Sequence, residues 1–367
     1  MKNKKVLGTT FIIITIILSG LSISMIASLS FPRGQKEYYN SYYFLIRQVI
    51  WLGIGAFAFF VTSRFKYEKY KKRSTFMYLF GAALLVAVLI LGKEVNGAKR
   101  WLSFGFISIQ PSEIAKLILI LVLAGVMDRF RKKRLVKGKM LLNMMFLILF
   151  YTVLILIERS FSTAAQIVII GLTMLFVTGI SFSYFSIISL IIGAVGIGSI
   201  ISTPYRILGH STGTEGVYQA KQSLIAIGSG GFLGKFYGNG LQKYFYLPEI
   251  HTDYIFAGYA EETGFIGSII LIGIYVVLLA IIIITLLKIK DMYAKYILIG
   301  IFGMFSIQIL GNLAVVLSVI PSTGIPLPIM SYGGSTSVVT LAALGVVYNI
   351  IKALYIQEMT EAENKLL

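Results

Sequence analysis

"TGFIGSIILIGIYVVLLAIIIITLL", residues 263–287, is a stretch of 25 positions without a charge. A helix rises about 1.5 Å per residue, so roughly 20 apolar residues cross a bilayer core about 30 Å thick. This stretch is long enough to span a membrane. Comparable runs lie near residues 7–29, 46–64, 75–92, 111–129, 141–157, 163–180, 185–202, 295–320 and 337–353, which makes ten candidate spans in all. Composition agrees: 57% of the 367 residues are hydrophobic and 13% charged, with a mean hydropathy of +0.85, against about 25% charged in a soluble domain. Backbone groups in lipid must be satisfied internally, so long apolar runs are helices; a barrel would need alternating segments of about ten residues. The fold class is therefore an all-α polytopic membrane protein of about ten transmembrane helices. Residues 1–367 form a single membrane domain, and a long loop at about 203–262, between helices 7 and 8, carries no obvious secondary structure.

The N-terminus, "MKNKKVLGTTFIIITIILSG", has the basic head and apolar body of a signal peptide. Its apolar part is too long for a cleaved one, and it reads as an uncleaved first helix. The chain has no cysteine, which excludes disulfides, thiolate chemistry and cysteine metal clusters. Lys and Arg number 21 in segments 1–6, 64–73, 128–139, 181–184, 288–295 and 352–367, and 11 in 30–47, 93–100, Arg159, 203–262 and 321–336. The positive-inside rule places the first set, with both termini, in the cytoplasm. The net charge of +18 then needs no nucleic acid; "RFKYEKYKKR" and "DRFRKKRLVKGK" read as topology anchors against anionic lipid. Conversely, Glu37, Glu94, Glu113, Glu158, Glu215, Glu249, Asp253, Glu261 and Glu262 map to the opposite face or its rim, so chemistry is expected there.

Three segments of that face are constrained. In "NGAKRWLSFGFISIQPSEIAK" (96–116), Pro111 suits a first helical turn, Glu113 lies where the helix dipole favours an anion, and Lys116 is its i,i+3 neighbour. A well-capped helix with a local ion pair accounts for this. A lysine one turn inside a span is costly, however, and usually faces a cavity or functional path. Lys99 and Arg100 beside Trp101 form a cationic patch suited to phosphate. In the second segment, "GSGGFLGKFYGNG" (228–240) fails every nucleotide-loop spacing and reads as glycines packing a loop against the membrane. "YLPEIHTDYIF" (246–256) follows, where a helix after Pro248 would place Glu249 and Asp253 on one face. His251 and Asp253 are too few ligands for a structural metal. A rim carboxylate is either a helix cap or a general base with a raised pKa. The third segment, "PSTGIPLPIMSYGGSTS" (321–337), holds three of the seven prolines and reads as a re-entrant connection walling a groove.

These motifs, in this order and separated by hydrophobic spans, resemble the SEDS family (shape, elongation, division and sporulation), the RodA, FtsW and SpoVE proteins, from about residue 10 to residue 353. "GNGLQKYFYLPE" is more similar to the division and sporulation branch. The resemblance implies a ten-helix peptidoglycan glycosyltransferase that polymerises lipid II into β-1,4 glycan strands on the outer face of the bacterial cytoplasmic membrane, multi-pass and with septal action open. The family's P-E-x-H-T-D aspartate falls on Asp253, its Q-P-S-E glutamate on Glu113, the nearby lysine on Lys116 and a basic residue on Arg100.

Asp253 would take the proton of the acceptor 4-hydroxyl, with inversion at the donor. Glu113 would orient Lys116 or bind a metal. Lys99, Arg100, Lys116 and Arg206 would stabilise the undecaprenyl pyrophosphate leaving group. Trp101, Gln110, Ser112, Glu249, His251, Thr252 and Ser331 complete the implied substrate-binding set. A divalent cation, Mg or Mn, is left open, and no nucleotide is required. Implied partners are a class B penicillin-binding protein (a transpeptidase), divisome or elongasome proteins and membrane lipid.

Two departures stand out: "ERSFST" (158–163) replaces the family's Glu-Pro-Asp/Asn, and the loop after Arg206 is short. A lipid II flippase would need ionisable or broken-helix features at the midplane and pseudo-repeats, of which only Lys116 is evident. A scaffold that recruits the transpeptidase is compatible with catalysis.

Overall fold

The computed structural model describes residues 2–95, 97–105, 107–132, 137–178 and 214–363. Its helices are α1 (Lys2–Leu29), α2 (Phe31–Tyr38), α3 (Tyr43–Arg64), α4 (Glu68–Lys72), α5 (Ser74–Leu91), α6 (Pro111–Lys132), α7 (Lys137–Ile157) and α8 (Phe161–Val177). They continue with α9 (Thr214–Gly230), α10 (Ile255–Lys288), α11 (Met292–Val316) and α12 (Gly334–Glu363). Seven of them, α1, α3, α5, α7, α10, α11 and α12, are long and apolar enough to cross a membrane, and α8 is a shorter apolar helix. The predicted span 185–202 lies outside the described residues.

Helix α6 is the axis of the bundle. It packs against α5, α7, α8, α11 and α12, and sixteen of its residues between Pro111 and Asp128 are buried. A helix sheathed by protein can carry charge at depth if each charge is met. Glu113 Oε1 lies 2.7 Å from Lys116 Nζ, and Asp128 pairs with Lys71, with Arg131 at 3.6 Å and with Lys132 at 3.4 Å. Between helices in lipid, attraction comes from packing rather than from the hydrophobic effect, and small residues permit it. On α3 and α12 this is literal: a Cβ on Gly345 would collide with Thr62 Oγ1, and one on Gly334 with the Trp51 ring. Thr62 Oγ1 donates to the Ala342 carbonyl at 2.9 Å across the same seam.

Three expectations are corrected, and the all-α fold class takes one exception: the connection between α5 and α6 is a three-stranded antiparallel sheet, β1 (Lys93–Val95), β2 (Ala98–Phe104) and β3 (Ile107–Ile109), in that order. Gly97 and Gly105 take positive φ (72° and 61°) at its two turns, a conformation that costs glycine little. The long loop is partly helical, since α9 occupies Thr214–Gly230. Helix α10 begins at Ile255, eight residues earlier than hydropathy indicates, because Glu261 and Glu262 are folded into it with partners of opposite charge. Finally, no helix starts at Pro248. Glu249 has a φ of 56° and the chain runs through turns until Tyr254, so Glu249 and Asp253 do not share a helical face.

Candidate active site

The segment Pro248–Tyr254 is held by contacts from three directions. Arg33 of α2 donates from Nη1 to Glu249 Oε1 at 2.9 Å, and Thr252 Oγ1 donates to Glu249 Oε2 at 2.9 Å. Burial works against ionisation of Glu249, but Arg33 outweighs it and holds the carboxyl below its usual value. His251 is 3% exposed, with its ring against Phe44 and Tyr332 at 4.7 and 5.7 Å between centroids. Burial pushes its pKa down to about 4, so it is a neutral packing residue at physiological pH. Glu249 and His251 thus shape the segment rather than present free functional groups.

Asp253 differs from both. Its carbonyl accepts from Asn312 Nδ2 at 2.7 Å, and the same amide nitrogen donates to the Ile325 carbonyl at 2.8 Å. Its carboxylate has no hydrogen-bond or ion-pair partner among the described residues. Burial, then the negative charge of Glu249, raise its pKa to about 7. A carboxylate near 7 is the state a general base needs. Opposite it stands Gly324, where an added Cβ would already lie 3.6 Å from Oδ2.

The loop 321–333 gathers the rest. Ser331 Oγ donates to the Thr252 carbonyl at 2.6 Å and accepts from Leu327 N–H at 2.8 Å, and Tyr332 N–H donates to the His251 carbonyl at 2.9 Å. Four residues after Ser331, Ser335 Oγ accepts from the Gln110 N–H at 2.8 Å. Ser162, of the unusual "ERSFST" segment, donates to the Thr323 carbonyl. Through these bonds the 321–335 stretch links the other two segments picked out in the sequence, the Asp253 segment at Ser331–Tyr332 and the start of α6 at Ser335. At the α6 turn, Gln110 Nε2 donates to Ser112 Oγ at 3.2 Å. Lys116, 1% exposed, donates to Gln166 Oε1 at 2.9 Å besides pairing with Glu113. Of the expected cationic patch, Lys99 faces Glu94 across the β1–β2 pair, and Arg100 donates from Nη2 to the Arg159 carbonyl. Trp101, opposite Lys93 in that pairing, is half-buried. Arg206 lies outside the described residues.

Sequence reasoning passed over Gln166 here and gave Glu158, named only among the carboxylates of this face and in the 158–163 departure, no role. Gln166 sits in an apolar helix with no motif around it, and its reach to Lys116 is visible only in three dimensions. Glu158 is 1% exposed, and neither carboxylate oxygen has a hydrogen-bond partner among the described residues. Burial raises its pKa to about 8, opposed by the charge of Arg100. The folded state then keeps a proton that the unfolded chain has lost, so stability falls as pH rises from the ordinary glutamate range through about 8. Glu158→Gln is expected to raise unfolding stability by on the order of 1–3 kcal/mol at about pH 8.5 and to change little at about pH 5. Thermal unfolding in detergent at both values checks this.

Among the described residues no group of three His, Cys, Asp or Glu side chains forms a metal cage. Mg²⁺ commonly takes one or two carboxylates and completes its shell with water and substrate phosphates. A free Asp253 carboxylate fits that donor set.

A family model described as "Cell cycle protein", covering the FtsW, RodA and SpoVE proteins, matches residues 9–355. The chain is 35% identical over 353 residues to the probable peptidoglycan glycosyltransferase FtsW of Coxiella burnetii, covering 92% of this chain and 94% of that one. It is 34% identical over 348 residues to the stage V sporulation protein E of Bacillus subtilis, covering 92% and 95%. Among solved structures it resembles the crystal structure of the rod shape determining protein RodA of Thermus thermophilus, with a TM-score of 0.71, 26% identity and coverage of 94% and 96%. It also resembles a chain from a structure of a peptidoglycan synthase complex that coordinates polymerization and crosslinking, with a TM-score of 0.73, 25% identity and coverage of 94% and 97%.

Proposed function

Given that the chain belongs to the FtsW, RodA and SpoVE family of cell cycle proteins, we propose that it is a peptidoglycan glycosyltransferase that polymerises lipid II. The observation that carries the chemistry is the Asp253 carboxylate: raised to about 7, unpartnered among the described residues and half-buried at one end of the bundle. Asp253 accepts the proton of the acceptor sugar's 4-hydroxyl as that oxygen attacks the donor anomeric carbon. The bond from that carbon to the pyrophosphate oxygen breaks, and its electron pair leaves with undecaprenyl pyrophosphate. Attack opposite the leaving group turns an α-linked donor into a β-1,4 product.

Lys99 and Arg100 of β2 would meet the pyrophosphate and stabilise its developing charge, the role also proposed for Arg206, which lies outside the described residues. Lys116 is held between Glu113 and Gln166, so Glu113 serves as its orienting partner. Thr252 and Ser331 keep Asp253 in place through the loop bonds described above, the Gln110 N–H ties the α6 turn to Ser335 after the same loop, and Ser112 holds the Gln110 side chain. Mg²⁺ or Mn²⁺, if bound, would be held chiefly by the substrate's pyrophosphate and would neutralise leaving-group charge; held by Asp253 instead, it would take that carboxylate out of the role of base. The site-bearing end faces outward if the basic segments are cytoplasmic, which is where lipid II would be presented. The proposed partner is a class B penicillin-binding protein within a division or elongation assembly, in keeping with the likeness to a chain of a peptidoglycan synthase complex.

Glycan-chain formation from purified lipid II, followed by gel, tests the reading. The protein is reconstituted with its penicillin-binding partner, which carries no transglycosylase of its own. Polymer is expected; its absence from well-folded protein would favour a flippase or scaffold. The rate is expected to rise with pH and level off above about 7, because the base must lose its proton. A profile already flat from about pH 5 would assign the ionisation of an ordinary carboxylate instead. Chelation by EDTA, with readdition of Mg²⁺ or Mn²⁺, reports on the metal.

A further inference from the structure

The stretch 231–246, between α9 and the Asp253 segment, is neither sheet nor helix, and much of its apolar surface is uncovered. Leu233 is 66% and Phe236 70% exposed, and Phe232, Tyr237 and Leu241 are exposed with them. Apolar patches of this kind mark a binding surface. Three observations say what covers this one.

The first is depth. Helix α10 is broken at Gly264, which has a φ of 68°, and a Cβ there would collide with the Gly234 backbone. At this break the stretch is joined to the helix: Phe265 N–H donates to the Gly231 carbonyl at 2.9 Å, Ile266 N–H to that of Phe232 at 3.3 Å, and Lys235 N–H to that of Glu261 at 3.0 Å. The uncharged run after the break, residues 265–287, is about 34 Å long at ~1.5 Å per residue, close to the ~30 Å hydrocarbon core. Phe232 and Leu233 are therefore fixed at the edge of the hydrocarbon. A second anchor agrees: Tyr237 Oη donates to the Ser24 carbonyl at 2.8 Å, five residues, or about 7.5 Å, short of the end of α1.

The second is continuity. Phe232 stacks on Phe265 at 5.9 Å between centroids. Phe265, Ile266, Ile269 and Ile270 form the exposed stripe of a membrane-crossing helix, so the patch extends a surface that already faces lipid.

The third is charge. Lys235 and Lys243 are the only ionisable Lys, Arg, Asp or Glu residues in 231–246, and both turn inward, to Glu261 at 2.8 Å and Glu262 at 2.9 Å. Apart from the Lys36 ammonium, 4.3 Å from the Phe245 ring at the far end of the stretch, the outward face is left uncharged, as a lipid-facing surface requires.

We propose that residues 231–246 are immersed in the membrane leaflet on the site's side, with Phe232, Leu233, Phe236 and Tyr237 in contact with lipid rather than with water or a protein partner. The Asp253 segment that follows is thereby held at the membrane surface rather than above it. This rests on the chain spanning a membrane and not on the catalytic reading.

The absence of cysteine makes the test direct. Leu233→Cys and Phe236→Cys, both at exposed positions, are spin-labelled in the full chain and reconstituted into phosphatidylcholine/phosphatidylglycerol vesicles. Power saturation then compares access of oxygen, which partitions into lipid, with that of a nickel chelate, which stays in water. Ile270→Cys on the lipid-facing stripe and the exposed Asn40→Cys calibrate the two extremes. The expected result is an oxygen-to-nickel ratio at 233 and 236 several-fold above that at 40 and approaching that at 270. Ratios matching position 40 overturn the proposal in favour of an aqueous loop. Labels shielded from both reagents overturn it in favour of a protein covering. The readout needs no enzymatic activity, so failure here and failure of the glycosyltransferase assay are separable.

Discussion

Asp253→Asn is expected to abolish glycan polymerisation while leaving the protein folded. Among the described residues the side chain makes no hydrogen bond, and Asn312 grips only its backbone carbonyl, at 2.7 Å. Asparagine matches it in shape and removes a carboxylate whose burial is unfavourable when ionised. Unfolding stability should therefore be unchanged or slightly higher. Activity should fall by about 10²–10⁴, the usual contribution of a positioned base. An inactive variant that also unfolded would say nothing about the base, so the polymerisation gel is paired with a melting curve. Polymer at the parental rate from Asp253→Asn removes this carboxylate from the mechanism. Retained binding of lipid II by the inactive variant separates loss of the chemical step from loss of the substrate.

The largest stability effect is expected away from that residue, at Lys243. Its ammonium lies 2.9 Å from Glu262, with side-chain exposures of 3% and 0%. Glu262 also accepts from Ser28 Oγ at 2.6 Å and from Gly238 N–H at 3.1 Å. Lys243→Met leaves a buried carboxylate with neutral donors alone, and breaking such a pair costs about 3–5 kcal/mol. Lys243→Met combined with Glu262→Gln should recover a large part of the loss, because the uncompensated charge is gone. The ion pair between Arg33 and Glu249 is a useful contrast. It has a similar length, but its side chains are 30% and 43% exposed, and a pair so placed is worth about 0–1 kcal/mol. Thermal unfolding of the three variants in one detergent orders them. If Lys243→Met melts like Arg33→Ala, the clasp between α1, α10 and the 231–246 stretch does not hold that end of the bundle together.

Residues considered in chain order settled a good deal. The spans near 7–29, 75–92 and 141–157 coincide with helices to within a few residues, because an unbroken apolar run leaves the backbone one way to satisfy itself in lipid. Pro111, Glu113 and Lys116 begin a helix with an internal ion pair as expected, since an i,i+3 contact depends only on the helix itself. Asp253 could be singled out as a carboxylate at the edge of a span.

Hydropathy failed where charge is neutralised from afar. Glu261 and Glu262 looked like the end of a loop, yet both lie inside α10, their lysines 26 and 19 positions away and Ser28 on another helix. Glu249 was expected on one helical face with Asp253 and in the substrate-binding set, but its charge is taken by Arg33, 216 positions upstream. The alternation in 93–109 is too short to signal strands, and the sheet appears only with its cross-strand partners in place.

Sequence by itself thus determined the class of fold, most of the apolar helices among the described residues and the short list of carboxylates, because apolarity, charge and local spacing belong to residues in order. Which carboxylates stay unpartnered among the described residues, which are bound as structural counter-ions and how the 321–335 stretch links the Asp253 segment to the start of α6 were decided by tertiary structure alone. Ionisation and reactivity depend on burial and on the nearest opposite charge, and in this bundle those come from other helices.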